Sequence, residues 1–444
     1  MILLFNSIIL FVLSNFYLYD VLFDVKIPAY ITVILVILVI IFTAFIILFP
    51  SLFCKKLLSR KLSSIRNGYR LLIIFLINLF LDIVLYLISF FIYDIKIKPL
   101  LINAIFLVLI LGAVFWCGII RVYLCSTQLG VRYRTTGLIL GLIPIAHIIM
   151  LIKIIRVCRD EVSFENDKLK LNKEREMDAV CKTRYPILMV HGIFFRDFKA
   201  FNYWGRIPEE LKKNGATIYY GNHSSSLSVE DSAKELAERI KEIIDETGCE
   251  KVNVIAHSKG GLDTRYAIAN LGMDKYVASL TMINTPNHGC VFADYLLNKA
   301  PEGLKDKVSG GYNFALKKLG DPNPDFIAGV TDLTSSKVAE LNKLMPSSEN
   351  VYYQAFGSVL KKATGGRFPL NLTNNFVKMF DDKNDGLVGI GSFPLDDNFT
   401  LVESPYDKGI SHGDVIDLNR ENIKGYDVRE FYVKLLNGLK NKGF

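Results

Sequence analysis

Acid is almost missing from the first third of this chain. Up to residue 157 its carboxylates are Asp20, Asp24, Asp82 and Asp94, which rules out the mixed-charge surface of an ordinary soluble domain. Cysteine is sparse as well. Of the seven, Cys54, Cys117, Cys125 and Cys158 lie in or beside the apolar region, and Cys181, Cys249 and Cys290 lie beyond it. An odd, dispersed set excludes a disulfide framework and fits a reducing compartment, or a chain that does not use disulfides. No basic residue precedes the first apolar run and no small-residue cleavage site follows it, which argues against a cleaved signal. The net charge of +8 comes with no zinc-finger spacing and no RNA-binding motif, so nucleic acid is a poor account of it. Histidine, with six copies, leaves few candidates for a catalytic base.

What the first third does contain is hydrocarbon. Residues 1–19, 27–49, 71–93 and 99–120 are runs of about 19 to 23 nearly uncharged residues, long enough to cross ~30 Å of lipid as helices. A shorter fifth stretch, 137–152, carries Gly141, Pro144 and His147, and is open between a spanning, a re-entrant and an interfacial helix. Between the second and third runs, Lys55, Lys56, Arg60, Lys61, Arg66 and Arg70 stand without an acid, which assigns that loop to the cytoplasm. If the fifth stretch crosses, the rest of the chain is outside. If not, it is cytoplasmic, the side that Lys153, Arg156, Arg159 and the following basic residues slightly favour. These clusters suit an anionic lipid surface at roughly 1 kcal/mol per basic residue. The expected organisation is a transmembrane helical domain over 1–157, a charged linker over 158–184 and a soluble domain over 185–444, in a multi-pass protein of a bacterial cell membrane. Asn78 and Asp82, four apart on one helical face inside a span, read as interhelical hydrogen bonding more readily than as a proton relay, since Asp82 has no acidic partner in the other spans.

From residue 185 short strands alternate with amphipathic helices, the pattern of an α/β fold with a mostly parallel sheet covered on both faces. Strands are expected at 186–190, 216–220, 252–255, 277–283 and 351–356. Ser228 with Asp231 resembles a capping box ahead of a helix ending near Gly248. Residues 290–345 have apolar helical faces and little strand pattern, and fall where such folds carry a lid or cap.

The chemistry centres on Ala256-His257-Ser258-Lys259-Gly260, which reads as a nucleophile elbow: a serine on a tight strand-to-helix turn, with small residues two before and two after it. Ala256 stands where glycine is usual and adds one methyl group. A serine hydroxyl needs a histidine to take its proton and an acid to orient that histidine. In the chain order Ser, acid, His, only His412 follows far enough on: His147 is in the membrane region, His191, His223 and His257 precede Ser258, and His288 leaves no room for the acid. Asp385, in the turn sequence Asn384-Asp385-Gly386, is the preferred acid, with Asp381 and Asp382 as competitors. The oxyanion donors are expected to be the backbone amides of Ile193 and Lys259, while the Lys259 side chain reads as a surface charge.

The segments Pro186-Ile187-Leu188-Met189-Val190-His191-Gly192-Ile193, Tyr203-Trp204-Gly205-Arg206-Ile207-Pro208, Ala256 to Tyr266, Asn284-Thr285-Pro286 and Asn384-Asp385-Gly386-Leu387-Val388 together resemble the bacterial triacylglycerol lipases of the α/β-hydrolase fold. The resemblance implies hydrolysis of carboxylic esters of acylglycerols, with Ser258, Asp385 and His412 at its triad positions and Ile193 and Lys259 at its oxyanion positions. It implies no required cofactor. Many secreted members hold the histidine loop with calcium, and Asp414 matches one ligand position, yet Leu418 stands where those members offer a side-chain amide, so calcium is permitted but not implied. The implied partners are a lipid ester and the bilayer itself. A phospholipase or acyltransferase acting on membrane glycerolipids uses the same residues. A non-catalytic scaffold or transporter carrying a hydrolase-like domain is the rival from another class.

Overall fold

A computed structural model of the protein describes residues 2–193, 202–224, 226–298, 325–367 and 370–444, with 301–303, 306, 309, 310 and 313 between them. The chain forms two compact units, Met1–Lys173 and Glu174–Phe444.

The first unit is helical: α1 (Ile2–Ser14), α2 (Phe16–Phe23), α3 (Ala29–Leu48), α4 (Arg60–Phe91), α5 (Ile97–Cys125), α6 (Gly130–Leu140) and α7 (Pro144–Glu174). Helices α3, α4 and α5 are each long and apolar enough to cross a bilayer. Large side chains such as Ile41, Phe91, Leu109 and Leu124 stand exposed on them, a surface that lipid would cover. The first expected span differs. It is two helices bent by 57° at Asn15 and makes a fourth crossing only as that broken pair. The Asn15 Nδ2 donates to Phe11 O at 2.9 Å and to Asp82 Oδ1 at 2.7 Å. Asp82 therefore has a partner from another helix, a neutral amide rather than a second acid. Helices α4 and α5 approach closely where Gly68 faces Gly118. A Cβ on Gly68 would lie 2.9 Å from the Gly118 carbonyl oxygen, so a larger residue would push the pair apart.

Residues 137–152 are not one helix. Helix α6 stops at Leu140 and α7 begins at Pro144, whose missing N–H and fixed φ suit a first turn. Residues 158–174, expected as linker, continue α7 to Glu174: mixed charge suits the exposed sides of a helix as well as a solvated tether.

The second unit is built on six parallel strands, β1 (Ile187–Val190), β2 (Ile218–Tyr220), β3 (Val252–His257), β4 (Val277–Ile283), β5 (Tyr352–Ser358) and β6 (Phe399–Val402), in the order β2-β1-β3-β4-β5-β6. Every residue of β1, β3 and β4 is buried, as a strand covered on both faces requires. On one face α8 (Ile207–Lys213) and α15 (Val428–Asn441) pack through Ile207, Leu211, Tyr432 and Leu436. On the other α9 (Val229–Thr247) and α10 (Lys259–Asn270) pack through Leu236, Ile240, Ala267 and Ile268. The Ser228 Oγ accepts from the Asp231 amide at 3.1 Å to cap α9, and Gly248 ends it with φ 67°.

Three helices, α11 (Val291–Asn298), α12 (Phe326–Thr331) and α13 (Ser335–Leu344), share an apolar cluster with Ile193, Leu262 and Val388. They fall within the expected lid region, and much of the remainder of 290–345 lies outside the described residues. Helix α14 (Leu370–Val377) precedes the Asp385 turn.

Candidate active site

Parallel sheets place ligands beyond the carboxyl ends of their strands, at the point where the strand order reverses. Here β1 and β3 are neighbours while β2 lies on the far side of β1, and their carboxyl ends deliver His191 and Ser258. Ser258 has φ 53° and ψ −131°, a strained conformation for a residue with a side chain. It is held there by its own N–H, which donates to Ile283 O at 2.9 Å, and by its carbonyl, which accepts from the Gly261 amide at 3.1 Å. The crossing is so close that a Cβ on Gly260 would lie 2.5 Å from His191 O, and one on Gly192 would lie 2.7 Å from the Ser258 Cβ. Ala256, on β3 between Val190 and Met282, is fully buried, and its methyl joins the core on the α9 side.

Asp385 and His412 meet in this structure. The His412 Nδ1 hydrogen-bonds Asp385 Oδ2 at 2.5 Å, and the His412 amide donates to Asp385 O at 2.8 Å. The carboxylate is fully buried and well supplied with donors: Leu387 and Val388 amides on Oδ1 at 2.9 and 2.8 Å, and the Asn284 Nδ2 on Oδ2 at 2.6 Å. The turn works as its sequence implies. Asn384 Oδ1 accepts from the Gly386 amide at 2.9 Å and Gly386 takes φ 100°. The competitor Asp381 instead accepts from the Lys383 amide at 3.2 Å. Asn284 is a residue that sequence reasoning left without a role. It ends β4 with φ 48° and also donates to Ser358 Oγ at 2.8 Å. A polar residue closing a buried apolar strand was the available signal.

A second chain of hydrogen bonds runs beneath the nucleophile. The Gly192 amide donates to Tyr203 OH at 3.1 Å, and the Tyr203 OH pairs with His257 Nδ1 at 2.6 Å. The His257 Nε2 pairs with the His412 carbonyl at 3.1 Å. That carbonyl can only accept, so the proton of a neutral His257 sits on Nε2 and Tyr203 donates to Nδ1. Burial, and then the charge of His412, hold the His257 pKa well below its ordinary value near 6.5. The chain ties the turn before Ile193 to the loop of His412. His257 had been seen in the sequence only as the residue ahead of Ser258.

Ile193 follows that Gly192 turn and is itself buried. Lys259 is the first residue of α10, where the backbone amide lacks an intrahelical partner. Its side chain corrects the expectation of a surface charge. It is fully buried, with Nζ 2.7 Å from Asp263 Oδ1 and 2.9 Å from Ser232 Oγ. Helix α9 lies against α10 and closes over it, and Asp263 supplies the counter-charge one turn on. Burial lifts the Asp263 pKa to about 6 against the opposing pull of Lys259, and the His223 Nε2 lies 3.5 Å from its other oxygen.

The carboxylate of Asp414 turns back on its own loop, with Oδ2 accepting from the Ser411 amide at 2.9 Å, and burial raises its pKa. The next acid along, Asp417, is closed on Arg206, whose amide and Nε meet Oδ2 at 2.8 Å each and whose Nη2 meets Oδ1 at 2.8 Å. Among the described residues no three His, Cys, Asp or Glu side chains converge as for a metal ion. A hard cation that takes 6–8 oxygens is poorly served by one self-occupied carboxylate, a neutralised one and Leu418. The guanidinium fits the role of loop clamp better.

An all-parallel sheet with helices on both faces, a strained serine at the end of a central strand and an Asp–His pair at the same edge define an α/β-hydrolase. A family model described as a domain of unknown function (DUF7379) matches residues 154–299. A triacylglycerol lipase of Pseudarthrobacter phenanthrenivorans is 33% identical over 183 residues, covering 38% of this chain and 57% of that protein. One of Vibrio cholerae is 30% identical over 238 residues, covering 48% of this chain and 75% of that protein. The chain belongs to the triacylglycerol lipase family, although it spans little more than half the length of the Pseudarthrobacter protein. Among solved structures, a Bacillus licheniformis lipase in mature form is 23% identical, with a TM-score of 0.42 over 57% of this chain and 91% of that one.

Proposed function

We propose that this protein is a membrane-anchored serine lipase that hydrolyses carboxylic esters of acylglycerols. The observation that carries the reading is the direct His412–Asp385 hydrogen bond on the loop that His257 ties to the nucleophile elbow. In this mechanism His412 takes the proton from Ser258 Oγ while that oxygen attacks the acyl carbonyl, and Asp385 stabilises the imidazolium. The amides of Ile193 and Lys259 hold the tetrahedral oxyanion. The alcohol leaves with the proton from His412, and water, deprotonated by the same base, releases the acid from the acyl-enzyme.

Three long apolar helices support anchoring, and tethering holds the membrane's own glycerolipids at high local concentration. The break between α6 and α7 favours the cytoplasmic side for the hydrolase unit: α4 starts within the basic segment 55–70 and α5 returns to its side, and among the described residues no helix after α5 is long and apolar enough to cross. The Arg206–Asp417 clamp supports catalysis without a metal.

Hydrolysis of a long-chain diacylglycerol by the reconstituted full chain, wild type beside Ser258→Ala, tests the proposal. The variant is expected to lose at least about 10³-fold in kcat. Hydrolysis at the wild-type rate by the variant would overturn it.

A further inference from the structure

The membrane unit contains a cleft of about 770 Å³ between α4 and α5, within the roughly 300–1,000 Å³ range of small-molecule sites. Its walls are almost wholly hydrocarbon, among them Leu79, Ile83, Leu87, Leu101 and Val108. At Gly112 it runs up to the bare α5 backbone, where an added Cβ would meet nothing within 4 Å. The lining turns polar midway along the α4 wall, with Asp82 and Tyr86, and at its far side where His147 of α7 reaches it.

These two belong to a buried cluster. Asn15 Nδ2 donates to Asp82 Oδ1 at 2.7 Å, and Asn103 Nδ2 donates to Asn15 Oδ1 at 2.8 Å and to Tyr86 OH at 3.0 Å. The cluster has more acceptors than donors. The Asp82 Oδ2 and Asn103 Oδ1 are buried without a hydrogen-bond partner, and Asp82 is only 6% exposed. An orphaned acceptor in hydrocarbon costs on the order of 1–3 kcal/mol or more, so a ligand that brings a donor is favoured over one that brings only another acceptor.

Depth narrows the class further. Asp82 is nine residues from the end of α4 at Phe91, roughly 13 Å along the axis, close to the middle of a hydrocarbon layer ~30 Å thick. A phosphate or carboxylate head group would be expensive there and would face the Asp82 carboxylate. An uncharged head with a hydroxyl satisfies both limits.

We infer that the cleft between α4 and α5 binds a neutral lipid alcohol of the mono- or diacylglycerol type, with an acyl chain along the apolar wall and its hydroxyl donating to Asp82. The site is separate from Ser258 and needs no hydrolysis.

The test uses full-length Ser258→Ala protein in phosphatidylcholine vesicles, photolabelled by a diacylglycerol with a diazirine in one acyl chain, followed by peptide mapping. Because Ser258 is replaced, failure of the lipase reading leaves this readout untouched. Adducts are expected on α4 and α5 between residues 79 and 111. Dioleoylglycerol should compete, and its 3-O-methyl ether, which cannot donate, should compete about tenfold less well, as befits one buried hydrogen bond. Asp82→Leu should weaken labelling by a similar factor. Gly112→Phe, which fills the cleft and leaves the polar cluster intact, should also suppress it, and decides the matter should Asp82→Leu fold poorly. Equal competition by the alcohol and its ether, or undiminished labelling of Gly112→Phe, would reduce the cleft to a surface wetted by bulk lipid and overturn the inference.

Discussion

Asp385 accepts four hydrogen bonds through its carboxylate, and only the one from His412 matters to the chemistry directly. The other three hold it in place. Asp385→Asn keeps the shape but favours the wrong histidine tautomer, so kcat for ester hydrolysis is expected to fall by about 10³–10⁴-fold with little change in the melting temperature. A drop of less than tenfold would remove Asp385 from the triad. His257 carries a different prediction. Its pKa is held below the ordinary value, so it is neutral in the folded protein and takes a proton on unfolding. Its stabilising contribution is therefore whole above about pH 6.5 and is lost as pH falls, by up to ~1.4 kcal/mol per pH unit. In thermal melts between pH 7.5 and 5, His257→Gln should show a shallower loss of stability on acidification than wild type. Equal slopes would contradict it.

Among the elements, the crossing of β3, α10 and β1 leaves the least room. Gly260→Ala would drive a methyl into the His191 carbonyl, and overpacking of this kind costs about 1–3 kcal/mol. Reduced melting temperature together with reduced activity is the expected result. The pair Lys259–Asp263 lies within α10, and Lys259 reaches α9 through Ser232 Oγ. Lys259→Met keeps the backbone amide yet strands a buried carboxylate, at a cost of about 3 kcal/mol, whereas Lys259→Met with Asp263→Leu should recover most of it. A double variant as unstable as the single one would show that the charge pair is not the cause. The strands β1, β3 and β4 were legible as unbroken apolar runs between turn residues, and α9 from its cap and its spacing. Strand β6 was not, because Thr400 interrupts its apolar residues and the strand is only partly buried, so no unbroken apolar run marks it. The burial of Lys259 was equally hidden: its partners are one turn ahead and 27 residues behind, and only the packing of two helices brings them together. The elbow, Asp385 and His412 could be picked out because local turn chemistry and chain order name them. Asn284 and the Tyr203–His257 chain could not, since their roles arise from contacts across strands.

For the molecule as a whole, an α/β-hydrolase unit and an apolar helical unit share one chain, and the division at residue 173 falls at the end of a helix begun at Pro144. The charged stretch after residue 157 had read as a tether because charge along a sequence does not reveal whether it lies on a helix. The same limit hid the bend at Asn15, an amide whose partner is 67 residues away. If the Arg206–Asp417 clamp holds the loop in place of a metal, as proposed, activity in membranes should survive EDTA, while Arg206→Ala should lower both activity and melting temperature by freeing the loop of His412. Loss of activity in EDTA, restored by calcium, would return the metal to that loop. The central claim is an activated serine at position 258, and the direct measurement is labelling of the reconstituted full chain by a serine-reactive phosphonate, with the adduct mapped by peptide. One adduct is expected, on Ser258, absent from Ser258→Ala. Folded wild-type protein that takes up no phosphonate, or takes it up elsewhere, would contradict it.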